Sequence, residues 1–172
     1  MKKNKYLSGC LLLLFLSVSF VGCEPVTEDG SYVEPITLYE KIGGTWNLND
    51  LVMVDENSAQ AKKEIPLSGK LGFDNFVLHL NTEGAKTPTT FSIETEAPQL
   101  IPTEGYWSLN QEFSDPFGSS PIITLYSDAA KTNQIGVLVV TSVPGGNPDM
   151  ELKTTRTHGG KAYVSYVYKL KK

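Results

Sequence analysis

The sequence has few residues suited to metal binding or catalysis. Its 172 residues include two cysteines, Cys10 and Cys23, and two histidines, His79 and His158. The histidines are distant in sequence and lack the His-x-x-x-His spacing that zinc sites commonly use. The chain also lacks the G-x-S-x-G motif of serine hydrolases and the P-loop of nucleotide-binding enzymes. We therefore expect a protein that is not an enzyme and binds no metal or cofactor.

Long apolar runs are also scarce, and the longest one lies near the N-terminus. Three lysines precede residues 11–21 (LLLLFLSVSFV), which are apolar apart from two serines. As a helix this run would extend about 17 Å, less than the roughly 30 Å hydrocarbon core of a bilayer. The pattern is typical of a secretory signal peptide rather than of a transmembrane helix.

The pair Gly22-Cys23 follows this run and resembles the lipobox of bacterial lipoproteins. That resemblance implies removal of residues 1–22 and acylation of Cys23, which becomes the mature N-terminus. Because Cys10 is removed with the signal, no thiol remains for a disulfide or a metal site. We expect a membrane partner through the N-terminal lipid and a location in the cell envelope, at the outer membrane. The alternative is a conventional cleavage site followed by an unmodified Cys23.

Positive charge is scarce once the signal is removed. Twelve of the 15 lysines and arginines remain against all 19 acidic residues, so the mature chain has a net charge of −7. This balance argues against a nucleic-acid partner. Residues 23–35, rich in acidic residues and proline, are expected to form a flexible tether. The remaining residues 36–172 are sufficient for one domain with its own core.

One helix of two or three turns and eight strands are predicted in this domain. Ile36, Leu38, Tyr39 and Ile42 have helical spacing and lie between Pro35 and a Gly-Gly pair. Runs of apolar residues separated by Gly, Asn, Asp and Pro predict strands at 45–54, 73–81, 89–96, 105–110, 121–127, 135–143, 149–157 and 162–170. Short connections favour antiparallel neighbours. We expect an all-β, eight-stranded, up-and-down barrel, with a β-sandwich as the alternative.

Two strands depart from simple alternation. Within 45–54 the apolar face changes between Trp46 and Leu51, which predicts a bulge near Asn49-Asp50. Residues 135–143 are apolar on both faces, so we expect the helix to cover the outer face of that strand. The inward positions of the other strands hold many bulky side chains. They predict a packed interior with at most a shallow cavity near the open end.

The segment GGTWNLNDLVM resembles the first strand of lipocalins, which carries a G-x-W motif after a short helix. With the closing strands DMELKTTR and AYVSYVYKLKK, it makes the chain similar to lipocalin-like lipoproteins of unknown function of the bacteroidetes type. The resemblance implies that Gly44 and Trp46 mark the closed end of the barrel, with Trp46 beneath a basic side chain. Arg156, the only arginine, is assigned to that role, and Lys169 lies nearer the family position. It also implies a barrel that holds a small apolar molecule.

Four aromatic residues are candidates for ligand binding. Tyr106 and Trp107 lie in one predicted strand, and Phe113 and Phe117 lie in the loop after it, beside amides and carboxylates. Carbohydrate-binding proteins present aromatic faces in such surroundings, although core packing explains Trp107 equally well. The leading hypothesis is a lipid-anchored, non-enzymatic envelope protein that binds a small apolar molecule or serves as an accessory subunit. The alternatives are a surface glycan-binding module and a peptidase inhibitor.

Overall fold

The predicted helix is present but short. The computed structural model describes residues 34–57, 63–115 and 117–172, and its helix α1 spans Leu38–Ile42. The hydroxyl of Thr37 accepts a hydrogen bond from the Glu40 N–H (3.3 Å), and the Glu40 carboxylate accepts one from the Thr37 N–H (2.7 Å). These bonds form a capping box and lower the pKa of the Glu40 carboxyl. Because the cap lies at Thr37, Ile36 precedes the helix and is exposed.

All eight predicted strands are present, together with one that the sequence did not predict. The strands are β1 Gly44–Asp55, β2 Lys63–Pro66, β3 Val77–Glu83, β4 Thr87–Glu94, β5 Glu104–Leu109, β6 Ile122–Tyr126, β7 Gln134–Ser142, β8 Asp149–His158 and β9 Lys161–Lys171. The unpredicted strand is β2, which pairs with the second half of β1. The expected strand beginning at residue 73 starts later, because Phe73–Asn75 forms a 3-10 turn.

The strands close into an antiparallel barrel. From β3 to β9 each strand pairs with the next, and β1 pairs with both β3 and β9. Eight strands thus form the closed barrel and β2 is an extra strand at its edge. The predicted up-and-down barrel is confirmed, and the sandwich alternative is wrong, since β1–β9 pairing leaves no separate second sheet.

The predicted bulge in β1 is confirmed. The pairing of β1 with β9 shifts register between Leu48 and Asp50, and this shift places Leu51 inside the barrel. The Asp50 carboxylate accepts hydrogen bonds from the Ser68 hydroxyl and from the Lys169 ammonium, the latter at 3.2 Å. These contacts, led by the Ser68 bond, lower the pKa of the Asp50 carboxyl. The bulge is therefore held by side chains from the loop after β2 and from β9.

Helix α1 lies at one end of the barrel, which we call the helix end. The helix end comprises α1, the loop 110–121, the loop 143–148 and Lys172. The Leu38 N–H donates to the Glu112 carbonyl (2.7 Å), and the Lys172 ammonium donates to the Lys41 carbonyl (3.1 Å). The expectation that α1 covers the outer face of β7 is wrong, because its apolar residues Leu38 and Ile42 are buried in the barrel core.

The outer face of β7 consequently remains partly open. Ile135 and Val137 on that face are 36% and 37% exposed. On the inner face of the same strand, Leu138 and Val140 are buried. Residues 35–172 together form one compact unit with a closed core.

Candidate functional site

The helix end is built around Gly44 and Trp46. Gly44 has φ +119°, a conformation that side chains disfavour, and it turns the chain from α1 into β1. Two residues later the Trp46 side chain is fully buried, and its indole N–H donates to the Ile42 carbonyl at 2.7 Å. That bond satisfies a carbonyl left unpaired at the end of α1. Trp46 therefore joins the helix to the barrel core.

The cation over Trp46 is Lys172, and the prediction for Arg156 is wrong. The Lys172 ammonium lies 4.9 Å from the centroid of the Trp46 ring. Arg156 lies over Tyr166 at 5.9 Å and donates to the Leu100 carbonyl at 3.3 Å. The physical reason is topological: Arg156 sits near the far end of β8, away from the helix end.

The environment of Lys172 has two opposing effects on its ammonium group. Partial burial lowers the pKa of the Lys172 side chain. The indole face of Trp46 and the carbonyl of Lys41 both favour its charged form. Lys172 thus covers the Trp46 ring, and its ammonium group donates a hydrogen bond to the Lys41 carbonyl.

Bulky side chains fill the interior of the barrel. The buried residues of this core include Trp46, Phe76, Leu78, Leu80, Phe91, Trp107, Ile123, Leu125, Leu138, Met150, Leu152 and Tyr168. Near the end opposite α1, the Phe76 and Tyr168 rings are in contact, with centroids 5.3 Å apart. A cavity beside them has a volume of about 10 Å³, enough for about one water molecule. Burial raises the pKa of the Tyr168 phenol above its ordinary value.

The four predicted binding aromatics do not form one site. Trp107 is fully buried and its indole N–H donates to the Asn81 carbonyl (2.8 Å), so it is a core residue. Its neighbour Tyr106 faces the outside of the barrel, as alternation along a strand requires. Phe113 and Phe117, in the loop 110–121, are 47% and 100% exposed. Of the four aromatic residues, only Phe113 and Phe117 are exposed on the same loop.

Tyr106 lines a shallow groove on the outer surface. The groove has a volume of about 470 Å³ and is lined by Thr90, Phe91, Ser92, Glu104, Gly105, Tyr106 and Ser127. Gly105 has φ +147°, and a Cβ at this position would collide with the Tyr126 carbonyl oxygen. The glycine next to Tyr106 lets β5 and β6 approach closely beneath the groove. A glycine inside a strand is a sequence signal that could have indicated this close approach of the two strands, but it does not indicate the groove itself.

The side chains of both histidines reach the surface of the barrel. His79 contacts the Thr45 hydroxyl through Nδ1 (3.0 Å) and the exposed Glu94 carboxylate through Nε2 (3.1 Å). His158 is exposed at the end of β8. Within the described ranges, no three His, Cys, Asp or Glu side chains are grouped as metal ligands.

A closed antiparallel barrel of eight strands, with a buried tryptophan beneath a lysine at its helix end, is a lipocalin-like barrel fold. The chain belongs to the family described as Domain of unknown function (DUF5004), which matches residues 22–171. No curated protein and no solved structure matched the chain.

The N-terminal predictions concern a different part of the chain. Cys23 and the predicted signal lie outside the described residues, and so does the predicted tether before residue 34. In the part that the structure describes, no helix is both long and apolar enough to cross a membrane.

Proposed function

We propose that the protein is a non-enzymatic accessory protein of the cell envelope, at the outer membrane, anchored through a lipid on Cys23. The proposal is supported by the packed interior of the barrel. Ligand pockets for drug-sized molecules usually have volumes of about 300–1,000 Å³, whereas the cavity beside Phe76 and Tyr168 has about 10 Å³. A carrier of apolar molecules needs far more internal space than this cavity provides. The protein therefore acts through its outer surface and its loops.

The packed interior predicts weak or absent binding of apolar ligands. Titration of residues 24–172 with a fluorescent fatty acid and with a hydrophobic dye should show no stoichiometric complex at micromolar concentration. Phe76→Ala, which removes a buried ring beside the small cavity, should create space and raise binding. Stoichiometric binding by the unaltered protein at submicromolar concentration would contradict this reading.

The lipid anchor has a direct test. In the native host, mass spectrometry of the purified protein should show an acylated N-terminus at Cys23, and detergent should be needed to extract it from membranes. Cys23→Ser should leave the chain unprocessed or release it from membranes, because serine lacks the thiol to which the lipid is attached. A mature N-terminus at any other residue would rule out this mode of anchoring.

Glycan binding at the Tyr106 groove is a second candidate function. Two aromatic rings, Tyr106 and the buried Phe91, line the groove together with three Ser or Thr hydroxyls and the Glu104 carboxylate. Sugars are commonly bound by such combinations of stacking and hydrogen bonds. If this function is correct, Tyr106→Ala should lower binding to a glycan selected from an array by at least about tenfold, which corresponds to about 1.4 kcal/mol. Phe117→Ser is the matched control, because Phe117 lies outside the groove. Equal loss in both variants would count against the groove.

A further inference from the structure

We propose that the helix end of the barrel docks on the surface of a lipid bilayer, with Phe113 and Phe117 inserted at the boundary between headgroups and acyl chains. The inference rests on the proposed anchoring through Cys23 and adds an orientation to it. It assigns a role to the exposed apolar residues of the loop 110–121, which neither the barrel core nor the Tyr106 groove uses.

Three large apolar side chains are exposed at the helix end. Ile36 is 64% exposed, Phe113 47% and Phe117 100%. Clustered apolar residues on a surface commonly mark a protein or membrane contact. We call these three residues the docking surface.

Hydrogen bonds hold the docking surface together. The Leu38 N–H donates to the Glu112 carbonyl at 2.7 Å, which brings the start of α1 beside the loop that carries the two phenylalanines. At the base of that loop, the Asn110 side-chain oxygen accepts the Ile122 N–H at 2.7 Å. At its tip, the Asp115 carboxylate accepts the Phe117 N–H at 2.9 Å. Phe117 is therefore presented by a hydrogen-bonded turn.

A notch next to Ile36 extends the apolar surface and adds positive charge. It has a volume of about 510 Å³ and is lined by Ile36, Lys41, Pro144, Gly145, Gly146, Pro148 and Lys172. The two lysine ammonium groups suit the phosphate of a phospholipid, and the apolar groups beside them suit the upper part of its acyl chains. Glu112 and Asp115 on the neighbouring loop offset this charge. The contact should therefore depend on apolar insertion and only weakly on ionic strength.

The attachment point of the chain favours a bilayer over a protein partner. Glu34 is 11 positions after Cys23, and a fully extended chain spans at most about 40 Å over that distance in sequence. An anchored barrel is thus held within this distance of the bilayer, and residue 34 enters the fold beside Ile36 in the docking surface. Such tethering raises the effective concentration of the docking surface at the membrane. Under these conditions a few inserted side chains are sufficient for docking, although they would bind weakly from solution.

The test uses residues 24–172, which contain the complete barrel, with an N-terminal hexahistidine tag in place of the lipid. The protein is bound to vesicles of phosphatidylethanolamine and phosphatidylglycerol that contain a nickel-chelating lipid. This segment has no cysteine, so Ser114→Cys supplies a single site for an environment-sensitive fluorophore between the two phenylalanines. His158→Cys, exposed at the opposite end of the barrel, is the matched control.

If the helix end docks, the fluorescence emission of the label at residue 114 should shift to the blue and be quenched by spin-labelled acyl chains. The label at residue 158 should be quenched only by iodide in the aqueous phase. Phe113→Ser with Phe117→Ser should lower the ratio of docked to undocked protein by about tenfold or more. Both side chains are exposed, so an unchanged thermal unfolding curve should accompany this loss. High salt should have little effect.

Three results would overturn the proposal. The label at residue 114 could remain in water on the vesicles, or the label at residue 158 could be the one that inserts. A label at residue 114 that is protected on envelope membranes containing proteins, but not on pure lipid vesicles, would identify a protein partner instead. Because the tag replaces the lipid, none of these results depends on acylation of Cys23, which mass spectrometry tests separately.

Discussion

Replacing Trp46 with alanine is expected to lower the free energy of unfolding by about 3–5 kcal/mol, the usual range for a buried aromatic side chain. Trp46 is fully buried and donates a hydrogen bond to the Ile42 carbonyl. Its loss leaves a cavity at the helix end and an unpaired carbonyl at the end of α1. Urea unfolding followed by circular dichroism measures the change.

Two further variants separate the contributions to this effect. Trp46→Phe keeps most of the apolar volume but lacks the indole N–H, so its cost should be smaller than that of alanine. Lys172→Met keeps a long apolar stem over the ring and loses the cation, so it should cost about 0.5–1 kcal/mol. A change below about 1 kcal/mol in Trp46→Ala would show that this residue does not hold the helix end together.

The sequence predicted this end of the molecule well because its signals are local. The Gly-Gly pair, Trp46 and the change of apolar face near Asn49-Asp50 all lie within one short segment, and each reflects backbone geometry or burial. The cation over the ring could not be predicted in the same way. It depends on which basic side chain reaches the helix end, and barrel closure gives that place to Lys172, directly after β9, rather than to Arg156 in β8.

Strand β2 and the position of α1 were missed for related reasons. The segment Lys63–Pro66 is short and mostly exposed, so it lacks the alternation that marks other strands. Strand β2 pairs with the part of β1 that follows the bulge. That part of β1 can be identified as a pairing partner only when the register of the folded barrel is known. The helix was expected over β7 because both elements have apolar faces to bury. Its buried residues instead enter the end of the barrel, where the start of β1 holds them.

Strand alternation predicts on which side of the sheet a candidate binding residue lies, but not which residues line the same groove. Core packing, one of the two roles that the sequence left open for Trp107, is the observed one, and alternation along β5 places its neighbour Tyr106 on the outer face. Nothing in the sequence indicates that Glu104, Ser92 and Ser127 line one groove with Tyr106, because they come from three segments. The exposure of Phe117 likewise depends on the turn formed around Asp115.

Adjacent residues of β5 should therefore respond very differently to the same substitution. Trp107→Ala should lower the free energy of unfolding by about 3–5 kcal/mol, because it removes a fully buried ring and one of the two side-chain hydrogen bonds that the Asn81 carbonyl accepts, the other coming from Thr89. Tyr106→Ala should cost about 1 kcal/mol or less, since it loses only packing on the outer face, including its cross-strand pair with Tyr126. Urea unfolding of the two variants under identical conditions gives both values. A Trp107→Ala variant as stable as the unaltered protein would mean that this tryptophan is not part of the core. The empty volume inside the barrel would then have to be larger than the packing of the core indicates.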